Sequence, residues 1–144
     1  MRINDHGIGK DLDRMGKIDL SKPLLQAALV VAEDVKKNTQ QGKAPTGARF
    51  KKYSDSYKDT IRRAKRQKNP NLPNLTWTGG MMKSIVARLV SKTRALVKPL
   101  GARDGLLFSR LMEYNIANGR DPMGISKTAH KKIKQIFDKV LGKL

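Results

Sequence analysis

Apolar residues recur at helical spacing near the start of the chain. Leu24, Leu25, Ala28, Leu29, Val31, Ala32 and Val35 form one wide face. The spacing predicts a helix over about 20–38. Pro23 falls in its first turn, Ser21 is its candidate cap, and Lys36 and Lys37 sit at its end, where cations suit the helix dipole. Gln40 to Gly47 reads as a loop broken by Gly42, Pro45 and Gly47. A second helix is expected over 54–68, capped by Ser54. Tyr57, Ile61 and Ala64 lie on one face, and Lys58, Arg62, Arg63, Lys65, Arg66 and Lys68 on the other. Asn69 to Asn74 is a proline-bounded loop. The stretch Leu75 to Ile85 then reads as a short strand, Thr78 as N-cap, and one or two helical turns after Gly79 and Gly80.

Alternation follows. Ile85, Ala87 and Leu89 share one side of a strand, and Ala95, Leu96 and Val97 belong to a second. Ser91-Lys92-Thr93 joins them as a hairpin that ends at Pro99 and Gly101. A helix is expected over 105–118, with Leu107, Leu111 and Tyr114 as its stripe, Met112 and Ile116 beside it, and Gly119 as its stop. After a turn at Asp121–Ile125, Ser126 caps a last helix over 126–142. Its apolar face is Ala129, Ile133, Ile136, Phe137, Val140, Leu141 and Leu144. The pattern gives an α+β fold: a small antiparallel sheet packed with N-terminal and C-terminal helices. Phe137, Ile133 and Val140 are expected against Leu25, Leu29 and Ala32. Residues 20–144 make one domain, and the polar, glycine-bearing residues 1–19 are read as a flexible arm that reaches a neighbouring chain, or as a tail without function.

Charge changes this picture most. The chain has 144 residues and a formal net charge of +19. Of its 31 basic and 12 acidic residues, five and six fall in 1–35, leaving 26 and six in 36–144. The body therefore attracts polyanions or acidic protein surfaces and repels its own copies, unless the charge serves only solubility. With 38% apolar residues the core is modest, which favours an oligomer or a partner-stabilised module. No apolar run is long enough for a membrane span, and the polar N-terminus does not read as a signal peptide. The absence of cysteine fits a reducing compartment.

Candidate chemistry is sparse. His6 and His130 are far apart and have no cysteine partner, so neither metal nor cofactor is expected. Glu33 and Asp34 are adjacent on a helix, splay apart, and read as solvated surface acids. Glu113 beside Tyr114 reads as a buried polar contact or a surface acid, with the buried contact favoured. No opposed acid–base pair or phosphate loop occurs, so the chain reads as not an enzyme. The basic face of 58–68 could neutralise phosphates. Aromatics are not interleaved with it along the sequence, which argues against a stacking platform.

Four features in order resemble the virion-morphogenesis proteins of tailed bacteriophages, a family of tail-completion and minor tail components. These are the apolar first helix; the entry Gly42, Pro45, Gly47, Phe50, followed by Tyr53-Ser54 and Tyr57; the Leu75–Ile85 stretch; and Glu113-Tyr114 followed by Gly119 to Ser126. The resemblance covers about residues 20–144. Pro122 stands where the family often has an aromatic, and 1–19 has no counterpart. The resemblance implies a structural role for Thr78, Gly79, Met82, Ser84, Met123, Gly124 and Ser126. It also implies a homo-oligomeric ring of six copies, or twelve if it matches a portal-attached adaptor. Such a ring would sit at the phage neck or tail end and join head and tail. Expected partners are portal, adaptor or tail proteins, with non-specific contact to passing DNA and no membrane. The expected location is the virion, and the host cytoplasm during assembly. Arg62, Arg63, Lys65 and Arg66 are the candidate partner contacts. The alternative is a small basic nucleic-acid-binding protein, and a third reading is an adaptor or inhibitor that binds a host enzyme.

Overall fold

The computed structural model describes residues 19–64, 71–75, 80–103 and 105–142. The arm at 1–18 and the residues Lys65, Arg66, Thr78 and Gly79 lie outside these. The fold is α+β. Helix α1 spans Ser21–Gln40, α2 Asp55–Ala64, the single turn α3 Gly80–Lys83, α4 Phe108–Ala117 and α5 Lys127–Leu141. Strands β1 (Ile85–Ser91) and β2 (Arg94–Pro99) pair antiparallel from Ile85↔Pro99 to Ser91↔Arg94, with a bulge at Val90. A second, two-residue ladder joins β3 (Ala102–Arg103) to β4 (Leu106–Leu107). A lone hairpin is marginal in water, and here α1 packs across both β1 and β2.

The core lies where these elements meet. Ala32 and Val35 of α1, Phe50, Leu75, Met81 and Met82 of α3, Ile85 of β1 and Met112 of α4 form one buried cluster, with Met123 packed against it. Met82 is thus a core residue. Ser84 closes α3 by donating its hydroxyl to the Met81 carbonyl at 2.7 Å.

Several expectations change. Residues 105–107 are not helical, because Gly105 (φ +75°) turns the chain into β4 before α4 begins. The buried side of α4 is Met112 and Asn115, with Phe108 and Leu111 half-buried beside them, while Leu107 and Tyr114 are exposed. Glu113 is exposed, not a buried contact. Leu29 faces solvent. Ile133, Phe137 and Val140 are only half-buried, although α5 does dock on α1. Ser21 is not the cap of α1. Its own N–H donates to the Asp19 carboxylate at 2.9 Å, and the Ser21 side chain first, with this N–H second, draws the Asp19 carboxyl below its usual range. Asp19, the last residue of the expected arm, is thus exposed and bonded to the start of α1. Leu75 lies in a bend at φ +54°, and the rest of the short strand expected after it lies outside the described residues.

Candidate functional site

The glycine–proline entry after α1 is a small hairpin. Lys43 and Arg49 form a bridge, the Ala44 N–H donates to the Ala48 carbonyl at 2.8 Å, and the Phe50 N–H to the Gly42 carbonyl at 2.9 Å. Gly42 sits at φ +68°, and a Cβ there would lie 2.7 Å from Leu72 Cδ1. A side chain at this position is therefore strained by the positive φ and would have to push the end of the Leu72 side chain aside.

This hairpin leads into residues 51–54, which are fastened to the segment after α4. The Lys51 N–H donates to the Gly119 carbonyl at 3.4 Å. Arg120 donates from Nε to the Lys51 carbonyl at 2.9 Å and from Nη2 to the Lys52 carbonyl at 3.1 Å. Its guanidinium lies 4.8 Å from the Tyr53 ring centroid, a cation–π geometry. The planar fork of arginine suits two adjacent carbonyls, and lysine could not replace it. Tyr53 also meets Tyr57 edge-on, with centroids 4.9 Å apart. Its hydroxyl accepts the buried Leu75 N–H at 3.2 Å and so holds the positive-φ bend. Burial pushes the Tyr53 hydroxyl above its usual pKa, with the Leu75 bond opposing, and Tyr57 is raised by burial as well.

Further along, Pro122 is fully buried and Met123 is half-buried against the core. Gly124 (φ +141°) brings the backbone so close to Pro45 that a Cβ would lie 3.0 Å from its Cγ. Ser126 is the N-cap of α5, accepting the Ala129 N–H at 3.1 Å. It also donates its hydroxyl to Asp34 of α1 at 2.9 Å. Asp34 is therefore a half-buried link between two helices, not a solvated surface acid.

Between α2 and α4 these contacts shape a groove of about 540 Å³. Tyr53, Tyr57, Tyr114, Lys51, Lys52 and Arg120 line it, over Leu111 and the amides of Asn115 and Asn118. All three tyrosines of the chain are present, and among the described residues no carboxylate lines the groove. Sequence order hid this site, because its lysines, its tyrosines and Arg120 come from positions 51 to 120. The local signals were the tandem Lys51-Lys52 before Tyr53 and the motif residues Tyr53, Tyr57, Tyr114 and Arg120, which nothing in the sequence brought to one place.

The predicted contact residues are only partly placed. Arg62 and Arg63 are exposed on α2, away from buried Ile61. Arg62 pairs with Asp59 at 2.8 Å, and Lys58 pairs with Asp55 at 2.7 Å and holds that carboxyl below its usual range. Lys65 and Arg66 lie outside the described residues. Among the described residues, no group of three or more His, Cys, Asp or Glu could hold a metal ion, and no helix is long and apolar enough to cross a membrane. His130 is exposed on α5. No family model, curated protein or solved structure matches this chain.

Proposed function

We propose that this protein is a structural component of a phage neck or tail end, which joins head and tail as a homo-oligomeric ring. The observation that carries the reading is the ordered set of motifs between Gly42 and Ser126. Its physical support is that these motifs do structural work together. Gly42 closes on Leu72, Arg120 staples residues 51–53, Gly124 abuts Pro45, and Ser126 ties α5 to Asp34. None of these residues is arranged for catalysis, and the proposed role needs no cofactor.

The surface supports assembly. Leu29, Val90, Leu106, Leu107, Ile125 and Leu141 are each between 46% and 55% exposed. Single exposed leucines are ordinary, but so many beside so small a core suit a module completed by neighbouring copies. The proposed ring holds six copies, or twelve if it matches a portal-attached adaptor. Its basic face, with Arg62 and Arg63 on α2, meets a more acidic portal, adaptor or tail protein. A lumen that held DNA tightly would impede ejection, since each phosphate contact adds affinity. The protein then resides in the virion, after assembly in the host cytoplasm.

The test is its position in a virion reconstruction, with mass photometry of the purified protein. The expected outcome is a ring at the neck or tail end and particles of ring mass. A monomer bound along DNA would replace this reading with a nucleic-acid-binding one.

A further inference from the structure

The groove between α2 and α4 has a composition that folding alone does not explain. Tyr114 is 65% exposed and Tyr57 39%, in a chain with only three tyrosines. Tyrosine is enriched at the energetic centres of protein interfaces, where its large, stiff ring brings area at low entropic cost. The cations are also distinctive. Elsewhere on α2, the half-buried Lys58 and the exposed Arg62 are paired with aspartates. Lys51 and Lys52 are exposed, with no ion-pair partner among the described residues. Their backbone is held in place by Arg120, so only the two lysine side chains, and not the segment that carries them, remain to be ordered on binding.

We propose that this groove is a docking slot for an acidic segment of a partner protein. Carboxylates of that segment pair with Lys51 and Lys52, and one of its apolar side chains seats against Tyr57, Leu111 and Tyr114. Charge complementarity selects the occupant: among the described residues, three cations and no carboxylate line the slot. Its volume of about 540 Å³ suits a few side chains of an extended segment. A nucleic acid fits less well. The Tyr53 face is taken by Arg120, and Tyr53 and Tyr57 are engaged with each other in a T, which leaves Tyr114 as the most exposed ring of the slot. The free cations are two adjacent lysines, too few to follow a phosphate backbone. The slot rests on the groove itself and not on the neck reading, so each can fail alone.

Fluorescence anisotropy on the full chain tests it. The probe is a short fluorescein-labelled peptide of alternating glutamate and leucine. Comparison probes are the same peptide with glutamine for glutamate, and an oligothymidylate of equal charge. Tyr114→Ala keeps the net charge and removes an exposed ring, so circular dichroism should be unchanged. It should weaken the acidic peptide about tenfold or more, as should Lys51→Gln with Lys52→Gln. Lys131→Gln with Lys132→Gln, which removes equal charge from exposed positions on α5, should change binding less than about twofold. Side-chain amide signals of Asn118 should shift on titration. Four results would overturn the slot: no binding of the acidic peptide, binding indifferent to Tyr114→Ala, equal binding of the glutamine peptide, or Tyr114-dependent binding of the oligothymidylate alone.

Discussion

Tyr53 shows how one side chain serves two ends. Its ring takes the Arg120 guanidinium and its hydroxyl takes the Leu75 N–H. Tyr53→Phe leaves that buried donor unpaired and should cost about 1–3 kcal/mol at neutral pH. The pH dependence has a definite sign. Because folding raises the Tyr53 pKa, the folded state keeps this proton to higher pH than the unfolded chain. This contribution is complete below the ordinary tyrosine pKa of about 10 and is lost as pH rises through the folded value. Denaturant melts should therefore show the gap between wild type and Tyr53→Phe narrowing from about pH 8 to above about pH 10. A constant gap would mean that the hydroxyl is not held protonated by the fold. Thr39 carries the opposite lesson. It is fully buried near the end of α1, and its Oγ1 has no hydrogen-bond partner among the described residues. Thr39→Val replaces the orphan hydroxyl by a methyl of similar shape, and should raise stability by about 1 kcal/mol in the same melts.

Among elements, the docking of α5 on α1 combines one polar link with partial apolar burial. Ser126 caps α5 while binding Asp34 of α1. Ser126→Ala should cost about 1–2 kcal/mol, since it removes the cap and the interhelical bond together. Asp34→Ala should cost less, and the double variant should fall short of the sum, the mark of a shared interaction. Full burial would put Phe137→Ala at about 3–5 kcal/mol. With Phe137 half-buried, the loss should be roughly half that, about 2 kcal/mol. A full-sized loss would point to burial of this helix face by a neighbouring copy.

For the whole molecule, charge governs association more than folding. Arg62→Glu with Arg63→Glu should leave the melting transition nearly unchanged, because the one ion pair broken, Arg62–Asp59, is more than half exposed on both sides. In the neck reading the same variant blocks head-to-tail joining, visible as separate filled heads and tails where the tail is built separately. Removal of residues 1–18 should leave the protein folded and weaken assembly. The cut must stop before Asp19, whose carboxylate accepts the first N–H of α1. Unfolding of that truncated protein would assign the arm to the core.

The sequence by itself determined the helices and the hairpin. Their periods of 3.6 and 2 are local, and so are the caps at Ser54 and Ser126 and the stop at Gly119, whose φ is +73°. The α+β class followed from those periods alone. Tertiary structure decided what no local pattern carries. The side of α4 that is buried depends on where α3 and β2 stand, so Asn115 turns inward while Tyr114 remains outside. Asp34 became a link only because α5 begins beside it, 92 residues later. The groove has the same origin. Its lysines and Arg120 are 68 and 69 residues apart along the chain, and a single guanidinium bound to two backbone carbonyls brings them together. A hydrogen bond leaves no periodicity in a sequence, and for that physical reason the groove emerged only from the fold.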